Sequence, residues 1–141
     1  KVPERPGAVH PDAQPLDAII LKCLEKNPKQ RYQSVVELQK DLATYLKANY
    51  SDSLKESIRI NDLHRSAYYC GDLVLICMKA GDLTAAYKYA VDLARYPAGD
   101  VRAQATELAE QIKLRIEMGA HELPDELVQK AEVVVHQVRV R

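Results

Sequence analysis

The sequence contains no tryptophan and no phenylalanine, so all eight of its aromatic residues are tyrosines. It has only three cysteines and no CxxC pair. Its longest apolar run, residues 73–78, has six residues, whereas a membrane-spanning helix needs about 20. We therefore expect no transmembrane segment and no disulfide framework. The sparse cysteines are typical of a reducing compartment, and we expect a cytoplasmic protein.

An excess of one charge is also lacking, because 20 Lys and Arg residues balance 20 Asp and Glu residues. Binding to nucleic-acid phosphates favours a basic surplus, so we expect no nucleic-acid partner. With 47% hydrophobic and 28% charged residues over 141 positions, the composition is typical of a globular protein rather than of a disordered chain. The length suits one medium domain or two small ones.

Apolar residues follow helical spacing almost throughout the chain, and no segment has a convincing strand pattern. This pattern predicts an all-α fold of six or seven helices with short connections. The predicted helices cover about 16–24, 35–48, 53–60, 63–79, 83–96, 101–119 and 124–138. A turn with a capping Asp100 is predicted at 97–100. Residues 133–141 are rich in β-branched valine, so a strand or a frayed tail is an alternative there.

In the first half of the chain, prolines mark an irregular lead and two capping boxes mark helix starts. Four of the seven prolines lie in residues 1–15, which we predict to be extended and irregular. Ser34 with Glu37, and Ser53 with Glu56, have the spacing of a capping box, in which a hydroxyl and a carboxylate bind free backbone N–H groups. They predict new helices after each serine.

Glycine and aspartate mark the later helix boundaries. Gly81-Asp82 predicts the end of one helix and the start of the next, because Gly81 can adopt the left-handed conformation and Asp82 can accept free N–H groups. Asn61-Asp62 predicts a similar break. Gly71 lies inside a predicted helix, where glycine costs about 1 kcal/mol relative to alanine. We therefore predict that a neighbouring element approaches it closely.

Residues 15–42 read PLDAIILKCLEKNPKQRYQSVVELQKDL. A Leu-Asp pair opens a helix, and Leu24 lies near the end of that helix. An Asn-Pro pair follows, and Arg31 lies three residues after its proline, Pro28. A second helix with a polar start then follows. This pattern resembles the end of the C-terminal lobe of eukaryotic-like, bacterial-type Ser/Thr protein kinases. With the proline-rich lead, the resemblance covers about residues 3–46.

The resemblance implies structural rather than catalytic roles for Leu24, Pro28 and Arg31. In the family, the arginine that matches Arg31 forms a buried ion pair with a glutamate at the end of the activation segment, and a guanidinium can bind a carboxylate through two hydrogen bonds. The chain lacks the glycine-rich loop, the strand lysine and the His-Arg-Asp, Asp-Phe-Gly and Ala-Pro-Glu motifs. It therefore cannot by itself transfer phosphate by the kinase mechanism, and ATP and Mg²⁺ are expected only in a kinase domain that precedes it. We expect Arg31 to be solvated or paired with another group.

A further stretch, residues 66–97, includes GDLVLICMKAGDLTAAYKYAVDLARYP. It combines an apolar helix, a Gly-Asp turn and a small residue, Ala86, where two helices can meet. It resembles one tetratricopeptide-type (TPR-like) helical hairpin, although Val74 and Ala90 depart from that pattern. Residues 101–138 are a candidate second hairpin. The expected fold is therefore two kinase-lobe tail helices followed by a helical bundle or a short TPR-like hairpin array.

No residue pattern predicts a metal or catalytic site, and we expect no cofactor in this chain. Cys70 and Cys77 share a helix face, but His64 lies on the opposite side and no further ligands follow at tight spacing. We expect both thiols to be buried as small apolar groups. The histidines are predicted at the surface: His10, His64, His121 and His136.

Tyrosines cluster on two adjacent predicted helices, between residues 68 and 96. Tyrosine buries a large ring and keeps a polar tip, so it suits half-exposed interfaces. Tyr87 follows the apolar stripe and is predicted to be in the core. Tyr68, Tyr69, Tyr89 and Tyr96 are the candidate interface residues. The alternative is that these rings fill the helix–helix core and its rim.

These observations divide the chain into residues 1–48, the lead and tail helices of a kinase lobe, and residues 49–141, a helical interaction domain. The predicted function is the non-catalytic C-terminal region of a Ser/Thr protein kinase. Its partner is another protein or its own kinase domain, and a homodimer is an alternative. Two other hypotheses are a free-standing helical adaptor and a segment that only completes the kinase lobe.

Overall fold

The computed structural model describes residues 2–97 and 99–140. Lys1, Ala98 of the predicted turn and Arg141 of the valine-rich tail lie outside the described residues. The described chain forms seven α-helices: α1 (Pro6–Val9), α2 (Asp17–Cys23), α3 (Val35–Arg59), α4 (Leu63–Lys79), α5 (Leu83–Leu93), α6 (Gly99–Glu117) and α7 (Asp125–Arg139). Two 3₁₀ segments, Pro11–Leu16 and Pro28–Gln30, lie between them. No strand occurs in 2–97 or 99–140, so the all-α prediction is confirmed.

From Pro6 onward the proline-rich lead is largely helical rather than extended, and the prediction for this part was wrong. Pro6 opens α1 and Pro11 opens a 3₁₀ segment, because proline lacks only an N–H that the first helical turn leaves free. The backbone N–H of Gly7 donates to the carboxylate of Asp17 at 2.7 Å. A Cβ atom at Gly7 would lie 2.7 Å from the Cα of Gln14, so only glycine fits this approach.

Helix α3 begins with half of the predicted capping box. The hydroxyl of Ser34 accepts the N–H of Glu37 at 3.2 Å. The carboxylate of Glu37, however, accepts the N–H of Gln33 at 2.9 Å instead of that of Ser34. This hydrogen bond lowers the pKa of Glu37 below its usual value. The ammonium of Lys22, 2.9 Å from the same carboxylate, lowers it further.

The predicted break in α3 does not exist. The sequence predicted one helix to about residue 48 and another from Ser53, with a second capping box, but α3 runs unbroken for 25 residues. Residues 49–53 contain no glycine or proline that would end a helix. The polar side chains of Asn49 and Asp52 are exposed to water, so the helix can include them. The buried Leu54 and Ser57 favour continuation of the helix, since burial outweighs the weak propensity of serine and aspartate.

The chain divides into two compact units, residues 1–46 and 47–141, with the division inside α3. The predicted boundary was between 48 and 49. Among the described residues of the first unit, 2–46, no side chain is buried. Polar contacts hold this unit together, among them the hydrogen bond from the hydroxyl of Tyr32 to the carboxylate of Asp41 at 2.8 Å.

In the second unit, helices α4 to α7 contact one another in a ring: α4 with α5, α5 with α6, α6 with α7, and α7 with α4. Of the two arrangements that the sequence left open, this ring is a helical bundle. A Cβ atom at Gly71 would lie 3.3 Å from the Cγ2 atom of Val135, so α4 and α7 approach closely at this glycine. The predicted packing reason for Gly71 is confirmed.

Three helices of the second unit end in the same way. Asn61, Gly81 and Gly119 have φ angles of 56°, 78° and 73°, respectively, and each follows a helix end. The next residue donates its N–H back to a carbonyl five residues earlier, as from Asp82 to Cys77 at 2.9 Å, which is the Schellman arrangement. Asp62 and Asp82 then cap α4 and α5 with their side chains. The predicted caps at Asp62 and Asp82 are confirmed, whereas Asp100 lies inside α6, which begins at Gly99.

Helix α7 remains helical to Arg139, so the strand alternative for the valine-rich tail does not apply to its described part. Val134, Val135 and Val138 are buried, and their spacing matches a helix face. Burial of this face outweighs the β preference of valine. Within 2–97 and 99–140, no helix combines the length and apolar character needed to cross a membrane.

Candidate interaction surface

The four candidate interface tyrosines all lie in the second unit, where each is half-buried. They pack with Tyr50 against one buried cluster: Leu54, Cys70, Leu73, Leu93, Val101, Ala105, Val134 and Val138. Their neighbours nevertheless differ. Tyr68 and Tyr69 group with Tyr50 of α3, Tyr96 lines a separate groove, and Tyr89 lies along α5. Of the four candidates, Tyr68 and Tyr69 are the two whose rings contact each other among the described residues.

The first group consists of Tyr50, Tyr68 and Tyr69. The ring centroids of Tyr68 and Tyr69 are 5.3 Å apart in an edge-to-face arrangement, and those of Tyr50 and Tyr69 are 5.8 Å apart. These are favourable separations for aromatic pairs. The guanidinium of Arg139 lies 5.7 Å from the centroid of the Tyr68 ring, within the range of a cation–π contact. The sequence did not predict Tyr50 or Arg139 as part of this group.

A buried ion pair lies beside these rings. An Nη2 atom of Arg139 donates to Oδ1 of Asp72 at 2.5 Å. Asp72 is only 3% exposed, and its second oxygen, Oδ2, has no hydrogen-bond partner among the described residues. The side chain of Arg139, in contrast, is 48% exposed. Solvent therefore reaches the cation of this pair but not the anion.

The electrostatics of the group follow from this pair. Burial raises the pKa of Tyr50, and the negative charge of Asp72 raises it further, so the phenol stays neutral. Partial burial alone would lower the pKa of Arg139, but its hydrogen bond and charge interaction with Asp72 outweigh that effect and raise the pKa. The guanidinium is therefore fixed in its charged form.

Tyr96 lines an apolar groove at the N-terminal end of α4. One cleft of about 380 Å³ and a second of about 230 Å³ share three lining residues, Leu63, Tyr96 and Pro97. Burial raises the pKa of Tyr96, and a hydrogen bond with the side chain of Ser66 opposes that rise. Leu63 is 51% exposed and Ile58 is 58% exposed. The groove therefore offers apolar surface to solvent.

Tyr87 and Tyr89 both lie against the core. Tyr87 was predicted in the core and is half-buried against the cluster that includes Ala86 and Ala90. Tyr89 touches both buried clusters. Its backbone carbonyl accepts the thiol hydrogen of Cys70 at 3.0 Å. The ring of Tyr89 is thus only half available to a partner.

The cysteines of α4 behave as buried apolar groups, as the sequence predicted. Both are 0% exposed, and burial raises the pKa of Cys70 to about 12 and that of Cys77 to about 11. Such thiols are not nucleophilic at neutral pH. All four histidines are exposed, which confirms their predicted position: His10, His64, His121 and His136. Within 2–97 and 99–140, no three His, Cys, Asp or Glu residues lie close enough to hold a metal ion.

The three kinase-like residues lie in the first unit. Leu24 is 53% exposed and follows the last residue of α2. Pro28 opens the 3₁₀ segment that Asn27 caps. Arg31 is exposed, and its Nε donates to the carbonyl of Glu25 at 2.6 Å. The guanidinium of Arg31 thus has a backbone partner within its own loop.

No protein-family model, no curated protein and no solved structure matches this chain.

Proposed function

We propose that this chain is the non-catalytic C-terminal region of a Ser/Thr protein kinase. Residues 49–141 act in this proposal as a helical module that binds a protein partner or the kinase domain itself. The kinase-like pattern of residues 15–42 is the first support. The second is a contrast between the two compact units, and this contrast carries the proposal.

The first unit has apolar side chains but no core. Among residues 2–46 no side chain is buried, and Leu24, Val35 and Val36 are 53%, 70% and 65% exposed. Burial of apolar surface contributes about 25 cal/mol per Å², and these side chains gain little of it. The contrast therefore favours a partner that covers this unit. The kinase resemblance implies such a partner, namely the rest of the lobe to which these helices would belong.

The second unit has a core of its own. Every buried hydrophobic side chain of the described chain lies after residue 47, and α4 to α7 enclose most of them. A segment that only completes a kinase lobe has no need of a separate bundle. This observation favours an additional module, and the groove beside Tyr96 and Leu63 is the surface that we assign to its partner.

A matched pair of substitutions tests the kinase assignment in the protein that includes the preceding residues. Leu24→Asp and Val133→Asp replace side chains of nearly equal exposure, 53% and 55%. We expect Leu24→Asp to lower kinase activity at least about tenfold, because a charge would be buried against the lobe. Val133→Asp should leave the activity unchanged. In the isolated chain both substitutions should change stability by less than about 0.5 kcal/mol.

Equal activity of the two variants would contradict the assignment of residues 15–42 to a kinase lobe. The absence of an in-frame kinase domain would favour a free-standing adaptor instead. If deletion of residues 50–141 leaves partner binding, localisation and activity unchanged, the chain only completes the lobe. These three outcomes separate the kinase module from its two alternatives.

A further inference from the structure

We propose that Tyr50, Tyr68 and Asp72 form a guanidinium-binding site, which we call the Asp72 site. Arg139 occupies it in this structure, and an arginine side chain of a protein partner can take its place. The proposal depends on neither the kinase assignment nor the groove beside Tyr96. It rests on three observations within the second unit.

The first observation is the unused half of the Asp72 carboxylate. Asp72 is 97% buried, and only Oδ1 is bound, by a single nitrogen of Arg139. Oδ2 has no hydrogen-bond partner among the described residues. A buried carboxylate with one empty oxygen is costly, whereas a guanidinium in the fork geometry can satisfy both oxygens at once. The site is thus built for more contact than Arg139 makes.

The second observation is the aromatic wall. The guanidinium of Arg139 is 5.7 Å from the Tyr68 ring centroid, and Tyr69 supports that ring edge-on at 5.3 Å. Tyr50 joins this wall through Tyr69, because the centroids of their rings are 5.8 Å apart. Rings next to a buried carboxylate favour a flat, weakly hydrated cation over a compact ammonium group.

The third observation is that the occupant can leave. Arg139 is the final residue of α7, where helix ends fray, and its side chain is 48% exposed. Arg139 is tethered to α7, and its guanidinium binds only one of the two carboxylate oxygens of Asp72. An arginine free of that constraint can engage both oxygens. Arg139 therefore acts as an internal competitor that lowers the affinity of the site for an outside arginine.

The test uses the whole chain with Arg139→Ala and titrates it with N-acetyl-arginine amide, followed by the NMR signals of the tyrosine rings. We expect this variant to bind the arginine derivative at least about tenfold more tightly than the unchanged chain, because the competitor is gone. N-acetyl-lysine amide should bind markedly more weakly. Arg102→Ala, which removes an exposed arginine of α6, should behave like the unchanged chain.

Asp72→Asn in the Arg139→Ala background should abolish binding, because it removes the charge and keeps the shape. The proposal is overturned if that double variant still binds, if arginine and lysine derivatives bind equally, or if Arg139→Ala gains no affinity. Should Arg139→Ala fail to fold, Arg139→Gln replaces it under the same criteria. Should both fail, the unchanged chain is titrated, and the lack of arginine-specific shifts at Tyr50 and Tyr68 overturns the proposal.

Discussion

At the scale of single residues, Asp72 and Arg139 are the least expected pair in this molecule. Asp72 lies in the apolar middle of α4, and Arg139 is 67 positions away in the sequence. No local pattern joins two such residues, since only the contact between α4 and α7 brings them together. Cys70 and Gly71, two and one positions earlier, were predicted correctly because burial and close approach follow from residue type and helical position alone.

The two partners of this pair should respond differently to substitution. Arg139→Ala leaves a buried carboxylate with neither oxygen partnered, and we expect it to destabilise the fold by about 2–3 kcal/mol. Asp72→Asn leaves a half-exposed arginine that water can solvate, and it should cost about 1 kcal/mol. Urea denaturation of both variants measures the difference. A larger loss for Asp72→Asn would contradict the assigned burial of the anion.

Asn61 carries a backbone conformation that glycine adopts more easily. Its φ angle is 56°, while Gly81 and Gly119 occupy the equivalent helix ends. Asn61→Gly should therefore raise the free energy of unfolding by about 0.5 kcal/mol, and Asn61→Ala should lower it by about 1 kcal/mol. Chemical denaturation provides both values. Gly81→Ala is the matched control and should also destabilise; stabilisation by Asn61→Ala would contradict the left-handed assignment.

At the scale of elements, local signals predicted helix boundaries wherever a residue was suited to end a helix. Gly81 and Asp82 marked the turn between α4 and α5 because their backbone and side-chain chemistry ends one helix and starts another. Ser53 and Glu56 have the spacing of a capping box and predicted a helix start. Helix α3 nevertheless continues through them, because Leu54 and Ser57 are buried on one face of the helix. Capping spacing alone cannot predict a break, since tertiary burial decides whether the helix continues.

Helices α4 and α7 meet at Gly71, and a double substitution can measure how tight this contact is. Gly71→Ala should stabilise α4, because alanine favours the helix more than glycine does. Crowding against Val135 should cancel part of this gain, because the new Cβ would lie 3.3 Å from a methyl group of Val135. In a Val135→Ala background the same change should stabilise by about 1 kcal/mol. Thermal denaturation of the four chains gives the coupling energy. Equal effects of Gly71→Ala in both backgrounds would show that the contact does not limit this position.

Lys47 and Asp82 join α3 to the start of α5 and should make stability depend on pH. The ammonium of Lys47 lies 2.5 Å from the carboxylate of Asp82, and this hydrogen bond holds the pKa of Asp82 below its ordinary value of 3.8. Because the folded pKa is lowered, the stabilisation is complete above the ordinary value and is lost as the pH falls through the folded value.

Lys47→Met should therefore lower the thermal midpoint at pH 7, and the difference from the unchanged chain should shrink below about pH 4. Both side chains are 40% exposed, so the effect at pH 7 should be below about 1 kcal/mol. Calorimetry from pH 7 to pH 2.5 tests this. Lys55→Met, at a more exposed pair with Asp52, is the control and should have almost no effect. A pH-independent difference for Lys47→Met would contradict the role of this pair.

At the scale of the whole molecule, the two compact units differ in kind. Residues 2–46 have no buried side chain, whereas the second unit has a closed ring of four helices and a core. The sequence predicted the all-α class and the four helices α4 to α7, because apolar spacing reports which face of a helix is buried. It did not predict which helices meet, because closure of α4 on α7 depends on contacts between distant residues.

The proposed membership of residues 3–46 in a kinase lobe can be tested by hydrogen exchange. Amide exchange in α2 and in the first turns of α3 is compared between this chain and the protein that includes the preceding residues. We predict at least about tenfold slower exchange for these amides in the longer protein, because burial suppresses local opening. The core amides of α4 should be unchanged and serve as the internal control. Equal exchange rates of residues 15–46 in the two proteins would contradict their proposed place in a kinase lobe.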